Sequence, residues 1–194
     1  METEFEATFI EINKDEVSQL LLSAGATLVH PEFMMTREVF DLPTGHEIKD
    51  GWLRVRKEYD KITMSLKVVS GGKIENQKET CLNIDNFENA VLFLSSIGCR
   101  RKAYQESYRE LWKLDDAEIT IDEWPYLEPF VEVGGPSEEV VKAVSKKLGF
   151  DYNKAFFCSV DILYNRKYGT PIEYINKHLD LISFTEPNPF EDKK

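Results

Sequence analysis

Stretches in which polar and apolar residues alternate recur along the chain and predict a protein rich in β-strands. In Leu53-Arg54-Val55-Arg56 one side is apolar and the other is basic, and Met64-Ser65-Leu66-Lys67 has a similar pattern. A period of two is typical of a strand with one packed face and one polar face. We predict strands over residues 4–12, 34–40, 52–58, 62–69, 77–84, 103–114, 118–123 and 130–133.

Apolar positions every three or four residues predict helices between some of these strands. The first helix carries Val17, Leu20 and Leu21 on one face. Asn13 is placed as its N-cap, and Gly25 as the residue that ends it. Further helices are expected near 87–97, from the cap Ser137 to Gly149, and over the shorter segment 159–164.

Two parts of the chain match each other at a constant offset. The numbers differ by 73 in each of the pairs Glu6/Glu79, Asn13/Asn86, Gly25/Gly98 and Thr36/Arg109. Shared strand, cap and turn positions suggest an internal repeat of a strand, a helix, a strand and a hairpin. Chance is the alternative, because Asn and Gly are common cap and stop residues.

Eight or nine strands joined mostly by hairpins, with three or four helices, place the protein in the α+β class. Closure of such a sheet removes exposed strand edges, so we predict a closed or nearly closed antiparallel β-barrel with helices packed outside. At 194 residues the chain suits a single domain, which we place over 1–187. The remaining residues, 188–194, are rich in proline and charge and are expected to form a flexible tail.

The polar faces of these strands allow two arrangements. In the first, the apolar faces meet a core and the charged faces meet water. In the second, the sheet closes with its charged faces inward, and the amphipathic helices cover the apolar faces. The sequence pattern alone leaves both arrangements open.

The composition of the chain limits which binding partners and which cellular compartment we expect for the protein. A formal net charge of −11 disfavours nucleic acid and anionic membranes as partners. The N-terminus has no signal-peptide pattern, and no apolar run is long enough to span a bilayer. Three scattered cysteines fit a reducing, cytoplasmic setting better than a disulfide framework. We expect a monomer or a homodimer.

The two signs of charge occupy different strands, which bears on the chemistry of an enclosed lumen. Carboxylates lie on the first strand and on the strands after residue 115, whereas guanidinium and ammonium groups lie on the strands between. Carboxylates bind hard divalent cations, and Arg and Lys bind phosphate oxygens. The chain has no glycine-rich phosphate loop, so side chains would have to hold any phosphate.

Several motifs together resemble the CYTH superfamily, also called the triphosphate tunnel metalloenzymes. The resemblance runs from residue 4 to about residue 164. The matching segments are Glu4-Phe5-Glu6-Ala7-Thr8, Leu53-Arg54-Val55-Arg56, Ser65-Leu66-Lys67, Glu79, Arg109, Ile121-Asp122-Glu123-Trp124-Pro125 and Phe130-Val131-Glu132-Val133-Gly134-Gly135-Pro136.

The resemblance implies an eight-stranded antiparallel β-tunnel that binds a triphosphate together with Mg²⁺ or Mn²⁺. It implies three acidic residues at the metal, namely Glu4, Glu6 and Glu132. It implies four basic residues that contact phosphate and carry catalysis, namely Arg54, Arg56, Lys67 and Arg109. Glu79 and Asp122 would complete the substrate-binding polar lining.

Three positions depart from the pattern of the family. The family signature Glu-x-Glu-x-Lys has Thr8 at its lysine position, and the late Glu-x-Glu has Gly134 in place of its second glutamate. Ser107 and Tyr108 stand where a lysine often precedes the arginine matched by Arg109. Each departure removes a charged group that could contact phosphate or metal.

Three functions remain open from the sequence. The leading hypothesis is a metal-dependent phosphoryl-transfer enzyme acting on ATP, thiamine triphosphate or tripolyphosphate. It would be either a class IV adenylate cyclase-like enzyme or a triphosphatase, with preference for the first on overall resemblance. The alternatives are a catalytically weakened module that binds nucleotide or polyphosphate, and a structural domain with neither role.

Overall fold

The computed structural model of the protein describes residues 1–191. Its strands are β1 (Glu2–Thr3), β2 (Phe5–Phe9), β3 (Thr27–Asp41), β4 (Gly51–Lys57), β5 (Ile62–Val69), β6 (Gln77–Ile84), β7 (Arg100–Leu114), β8 (Ala117–Glu123), β9 (Phe130–Gly135) and β10 (Leu181–Ile182). Its helices are α1 (Lys14–Ser23), α2 (Phe87–Ser96), α3 (Glu138–Lys147), α4 (Val160–Tyr168) and α5 (Ile172–His178). Two 3₁₀ turns cover Ile74–Asn76 and Tyr152–Lys154.

The strands form one nearly closed antiparallel barrel in the order β1-β6-β5-β4-β3-β7-β8-β9-β2, and β10 adds in parallel to β7. The two ends of this order, β1 and β2, are consecutive segments separated only by Glu4. The Glu4 N–H donates to the Gln77 carbonyl at 2.9 Å, and Gln77 Nε2 donates to the Glu6 carbonyl at 2.8 Å. The N-terminal segment therefore joins the two edges of the sheet, and it counts as one interrupted strand of the predicted eight.

The apolar faces of the strands point outward and are covered by helices. Val55 packs with Ala90 and Leu94 of α2. On the other side of the barrel, Ile119 and Val133 belong to a cluster that includes residues of α1 and α3. This packing confirms the arrangement with charged faces inward, because strand residues alternate between the two faces.

The internal repeat is confirmed at the level of its elements. Helices α1 and α2, and strands β3 and β7, correspond at both ends with the predicted offset. The side chains of Asn13 and Asn86 accept from backbone N–H groups as N-caps. Gly25 and Gly98 follow the helices with φ values of 85° and 91°, a conformation that favours glycine. Because β3 pairs with β7, the two repeats lie side by side in the sheet.

Several boundaries differ from the sequence prediction. β2 ends at Phe9 and not at residue 12, and Glu11 has a φ of 60° that is incompatible with an extended strand. β3 begins at Thr27 and not at residue 34, since its first part pairs with β7 despite irregular register. Helix α5 and strand β10 were not predicted, because their short segments carry weak periodicity.

Residues 188–194 were expected to form a flexible tail, but the side chain of Phe190 in this segment packs against the rest of the protein. This side chain is 2% exposed, and its ring stacks on those of Tyr164 and Tyr168 with centroid distances of 4.3 and 5.0 Å. Burial of a large aromatic ring stabilises this segment against the barrel. The last residues of the predicted tail, 192–194, lie outside the described residues.

Within residues 1–191, no helix has both the length and the apolar character required to cross a membrane.

Candidate active site in the barrel lumen

The lumen of the barrel is a cavity of about 1710 Å³. Seven of the predicted site residues line it: Glu4, Glu6, Arg54, Arg56, Lys67, Arg109 and Glu132. The other two, Glu79 and Asp122, contact Arg54 and Arg109 from the sheet. The structure therefore brings into one cavity residues that lie between Glu4 and Glu132 in the sequence.

Ion pairs that skip a strand show that the charged faces share the inside of the barrel. Lys67 Nζ on β5 lies 2.6 Å from Glu4 Oε2, although β6 separates β5 from the N-terminal segment. Arg54 Nη2 on β4 lies 3.2 Å from Glu79 Oε1 on β6, with β5 between them. Such contacts require both partners on the same face of a curved sheet.

Arg109 is held by two carboxylates. Its Nε and Nη2 donate to the two carboxylate oxygens of Asp122 at 2.6 Å each, and Nη2 also donates to Glu132 Oε2 at 2.8 Å. Thr120 Oγ1 donates to Asp122 Oδ2 at 2.8 Å, which fixes the carboxylate further. Burial alone would raise the pKa of Asp122, but the Arg109 charge and its hydrogen bonds hold that pKa below its usual value.

Arg37 belongs to the lumen, although it was not predicted as a site residue. Its guanidinium lies over the Trp124 ring at 4.2 Å from the centroid, and Nη2 donates to the hydroxyl of Ser107. Burial, together with the neighbouring charges of Arg56 and Arg54, holds the pKa of Arg37 well below its usual value. The signal in the sequence was weak, because within the predicted strand 34–40 Arg37 shares its face only with Met35 and Val39.

This arrangement bears on one of the departures from the family pattern. Ser107 stands where the family often has a lysine, and the guanidinium of Arg37 reaches that hydroxyl from the neighbouring strand. A cation from β3 therefore occupies the region where the resemblance expected a cation from β7.

Three buried polar atoms in the lumen wall have no hydrogen-bond partner in the described chain: Arg37 Nε, Arg54 Nε and Ser65 Oγ. Arg54 and Ser65 are cross-strand partners, and Arg37 is the cross-strand partner of Arg56. Buried donors without partners are uncommon in folded proteins. Their concentration beside the basic residues fits a wall that donates to the oxygens of a polyanion.

The acidic side of the lumen carries surplus negative charge. Burial, and next to it the charge of Glu4, raises the pKa of Glu6 to about 7. Burial also raises the pKa of Glu132 well above its usual value, and the charge of Glu6 adds to the effect. Carboxyl groups in this situation favour binding of a cation, because a cation relieves their mutual repulsion.

Glu4, Glu6 and Glu132 are the candidate ligands for a divalent metal in the lumen. Among residues 1–191, no group of three or more acidic, His or Cys side chains converges closely enough to hold a metal ion. Mg²⁺, however, is commonly bound by one or two carboxylates, with waters and substrate phosphates completing its shell. The carboxylate oxygens of Glu4, Glu6 and Glu132 fit that donor chemistry.

Thr8 and Gly134, two of the positions that depart from the family pattern, lie on the acidic wall of the barrel. Thr8 is 4% exposed and is the cross-strand partner of Glu132, so no lysine ammonium stands at that position beside the carboxylate. Gly134 is the cross-strand partner of Glu6, and a Cβ atom built on it would lie 3.9 Å from Glu6 Oε1. A Cβ atom would thus meet its neighbours at ordinary van der Waals distance, and the acidic wall lacks the second glutamate that the family often has there.

A nearly closed antiparallel barrel whose lumen gathers cations on one wall and carboxylates on the other defines a tunnel protein suited to a polyanion. The sequence profile of the CYTH domain matches residues 2–161, and the chain belongs to the CYTH family. Enzymes of this family act on triphosphates and generally use a divalent metal. No curated protein sequence matches the chain.

Solved structures with the same fold share little sequence with this chain. A candidate adenylate cyclase from Vibrio parahaemolyticus is 14% identical with a TM-score of 0.70, over 84% of this chain and 97% of that chain. The PH1819 protein from Pyrococcus horikoshii is 19% identical with a TM-score of 0.67, over 84% and 99% of the two chains. HpAC1 from Hippeastrum, a candidate adenylyl cyclase with a dominant triphosphatase activity, is 13% identical with a TM-score of 0.55, over 88% and 99%.

Proposed function

We propose that the protein is a divalent-metal-dependent phosphoryl-transfer enzyme that acts on a triphosphate inside the barrel. The observation that carries this proposal is the convergence of Arg54, Arg56, Lys67 and Arg109, from three strands, on one lumen. Unpartnered donors of Arg37, Arg54 and Ser65 in the same wall support it.

The basic residues divide into two groups by their contacts. Arg54 and Lys67 are paired with Glu79 and Glu4, so phosphate oxygens would compete with carboxylates for them. Arg109 is fixed by Asp122, which orients its guanidinium before any ligand binds. Fixed guanidinium groups stabilise charge that develops on transferring phosphoryl oxygens, because they need no reorganisation during the reaction.

Glu4, Glu6 and Glu132 would hold the metal, which we propose to be Mg²⁺ or Mn²⁺. When bound, such an ion neutralises charge on the phosphate oxygens. Binding of the cation would favour the deprotonated form of Glu6, because burial raises the pKa of this carboxyl to about 7 and metal ligands must be deprotonated.

Two reactions fit this site. In a cyclase-like reaction the 3′-hydroxyl of ATP attacks the α-phosphorus and pyrophosphate leaves, and in a triphosphatase reaction water attacks the γ-phosphorus. Both depend mainly on positioning and charge stabilisation. We place the cyclase-like reaction first because of the overall resemblance of the motifs, with triphosphate hydrolysis as the alternative.

A non-catalytic module that binds nucleotide or polyphosphate is the second candidate function. It is favoured by Thr8 and Gly134, which remove a cation and a carboxylate from the site. Loss of one charge-stabilising group commonly costs an enzyme a few kcal/mol of transition-state stabilisation. Turnover would suffer more than binding, because the remaining basic residues still contact the phosphates.

One assay separates the two candidates. The pure protein is incubated with ATP, thiamine triphosphate and tripolyphosphate, with Mg²⁺ or Mn²⁺, and both product and bound ligand are measured. If the protein is an enzyme, we expect metal-dependent formation of cyclic AMP and pyrophosphate by the cyclase-like reaction, or of phosphate by the triphosphatase reaction. The double variant Glu4→Gln/Glu6→Gln should lose this activity. Glu88→Gln, exposed on α2 outside the barrel, is the matched control and should keep full activity.

The outcomes are distinct. Binding without product for all three ligands would overturn the enzyme proposal in favour of the binding module. Product that survives the Glu4/Glu6 double substitution would assign the activity to another site or to a contaminant.

A further inference from the structure

Three aromatic side chains meet at one end of the lumen. His30 and Phe33 lie on β3, and Tyr59 lies in the turn between β4 and β5. The His30 and Tyr59 rings stack with centroids 4.4 Å apart, and Phe33 meets Tyr59 edge to face at 5.5 Å. All three line the same cavity as the basic residues.

A bulge in β3 turns both His30 and Phe33 toward the lumen. His30 pairs with Leu111 and Phe33 pairs with Arg109, so three steps along β3 match two steps along β7. Without the extra residue, His30 and Phe33 would point to opposite faces of the sheet. Pro31 lies between His30 and Phe33, and proline, which has no N–H to donate, is typical of bulges in strands.

The aromatic cluster is adjacent to groups that we propose to bind phosphate. Phe33 is the cross-strand partner of Arg109, which places their Cα atoms roughly 5 Å apart. Tyr59 follows Glu58, whose carboxylate holds Arg56 at 2.7 Å. A triphosphate held by Arg56 and Arg109 would therefore extend toward these rings.

The rings leave surface available for a ligand. Tyr59 remains 58% exposed although it contacts both other rings. Rings that served only to close this end of the barrel would be expected to bury most of their area in each other. An exposed aromatic face beside a cationic lumen is suited to a ring that carries negatively charged phosphates.

We propose that His30, Phe33 and Tyr59 form a stacking subsite for the planar heteroaromatic head group of an organic triphosphate. The inference rests on the proposed triphosphate function and names the class of substrate. It distinguishes a nucleotide or thiamine compound, which carries such a ring, from inorganic tripolyphosphate, which does not.

The test compares three ligands on matched variants. Equilibrium binding of ATP, thiamine triphosphate and tripolyphosphate is measured in EDTA, where a metal-dependent reaction does not consume the ligand. The variants are Tyr59→Ala, the ring-retaining Tyr59→Phe, and Phe93→Ala, which removes an exposed ring on α2 outside the cavity. Because Tyr59 is in an exposed turn, circular dichroism should show that all three variants fold.

Tyr59→Ala should weaken binding of at least one ring-containing ligand by about tenfold or more, because stacking on an aromatic side chain contributes about 1–3 kcal/mol per base. Its affinity for tripolyphosphate should stay within about twofold of the wild-type value, as should all affinities of Tyr59→Phe and Phe93→Ala. The ligand that responds, ATP or thiamine triphosphate, identifies the head group.

Equal losses for all three ligands, or no loss for any, would overturn the stacking subsite. If the wild-type protein binds ATP and thiamine triphosphate no more tightly than tripolyphosphate, the stacking subsite is overturned and the proposed function still stands. Wild-type protein that binds none of the three, in EDTA and equally when Mg²⁺ is supplied, would overturn both.

Discussion

Arg109 and Asp122 form a two-point ion pair between β7 and β8, with both nitrogen–oxygen distances at 2.6 Å. Asp122 is 0% exposed, so its charge is balanced inside the barrel wall and not by water. The pair directs the guanidinium toward Glu132 on the next strand. A residue that we proposed as part of the substrate lining thus acts by positioning Arg109.

Replacing Asp122 by Asn should destabilise the protein. The substitution removes the negative charge that balances the buried guanidinium of Arg109. Breaking a buried ion pair in this way typically lowers the free energy of unfolding by about 3–5 kcal/mol. Glu132 still contacts Arg109, so we expect about 3 kcal/mol at neutral pH. Urea denaturation followed by circular dichroism measures the free energy of unfolding.

The matched control is Glu118→Gln on the same strand. Glu118 is exposed and lies 3.6 Å from Lys113, and exposed pairs of this kind contribute about 0–1 kcal/mol. An Asp122→Asn loss as small as that of the control would show that the ion pair does not stabilise the barrel wall.

Glu6→Gln should stabilise the ligand-free protein at alkaline pH. Burial and the charge of Glu4 raise the pKa of Glu6 from 4.5 to about 7, so the folded protein holds this proton more tightly than the unfolded chain. The contribution of Glu6 to the free energy of unfolding therefore falls as the pH rises from about 4.5 to 7. Glutamine removes this penalty, which corresponds to roughly 3 kcal/mol above the folded pKa.

Thermal unfolding in EDTA near pH 5 and near pH 8 tests the Glu6 prediction. The variant should exceed the wild type mainly at the higher pH, whereas Glu2→Gln, exposed on β1, should change neither value. Equal melting temperatures of the Glu6 variant and the wild type at both pH values would contradict the assignment of surplus negative charge to this wall.

Thr8→Lys should strengthen binding of tripolyphosphate. The new ammonium would enter the acidic wall next to Glu132, the cross-strand partner of Thr8, and supply a phosphate contact that the family signature contains. One added charged hydrogen bond corresponds to about tenfold in affinity. Thr8→Val, of similar volume and without charge, is the control. Unchanged affinity of a folded Thr8→Lys protein would show that position 8 does not face the bound phosphates.

The strands and the grouping of their polar side chains could be predicted because both depend on local alternation, whereas the inward direction of those side chains and the role of each site residue were expectations from the resemblance to the CYTH superfamily. In Arg54 and Arg56 the basic residues share one face of a strand, and Val55 between them faces the helices. Once the sheet closes with its polar faces inward, alternation determines which side chains of a regular strand share the lumen. The internal repeat could likewise be predicted, because N-cap residues such as Asn13 and Asn86 occur at a constant offset along the chain.

Features that depend on long-range packing could not be read from the pattern. Arg37 reaches the lumen between the apolar residues Met35 and Val39 of its strand face, and its contact with Ser107 joins the two repeats. The bulge at Pro31 changes which residues of β3 point inward, and no local signal fixes its register against β7. Phe190 is buried by contacts with α4 that a proline-rich tail does not reveal.

The affinity of the lumen for inorganic tripolyphosphate, measured by calorimetry, tests the central claim most directly. The double variant Arg54→Gln/Arg56→Gln removes two basic side chains from the lumen, and Arg101→Gln, whose partner is Glu38, is the control outside the cavity. Hydrogen bonds to charged groups contribute about 1.5–3 kcal/mol each, so the double variant should bind about 100-fold more weakly or worse. The control should bind like the wild type. A double variant that binds tripolyphosphate as tightly as the wild type would contradict the lumen as the triphosphate site.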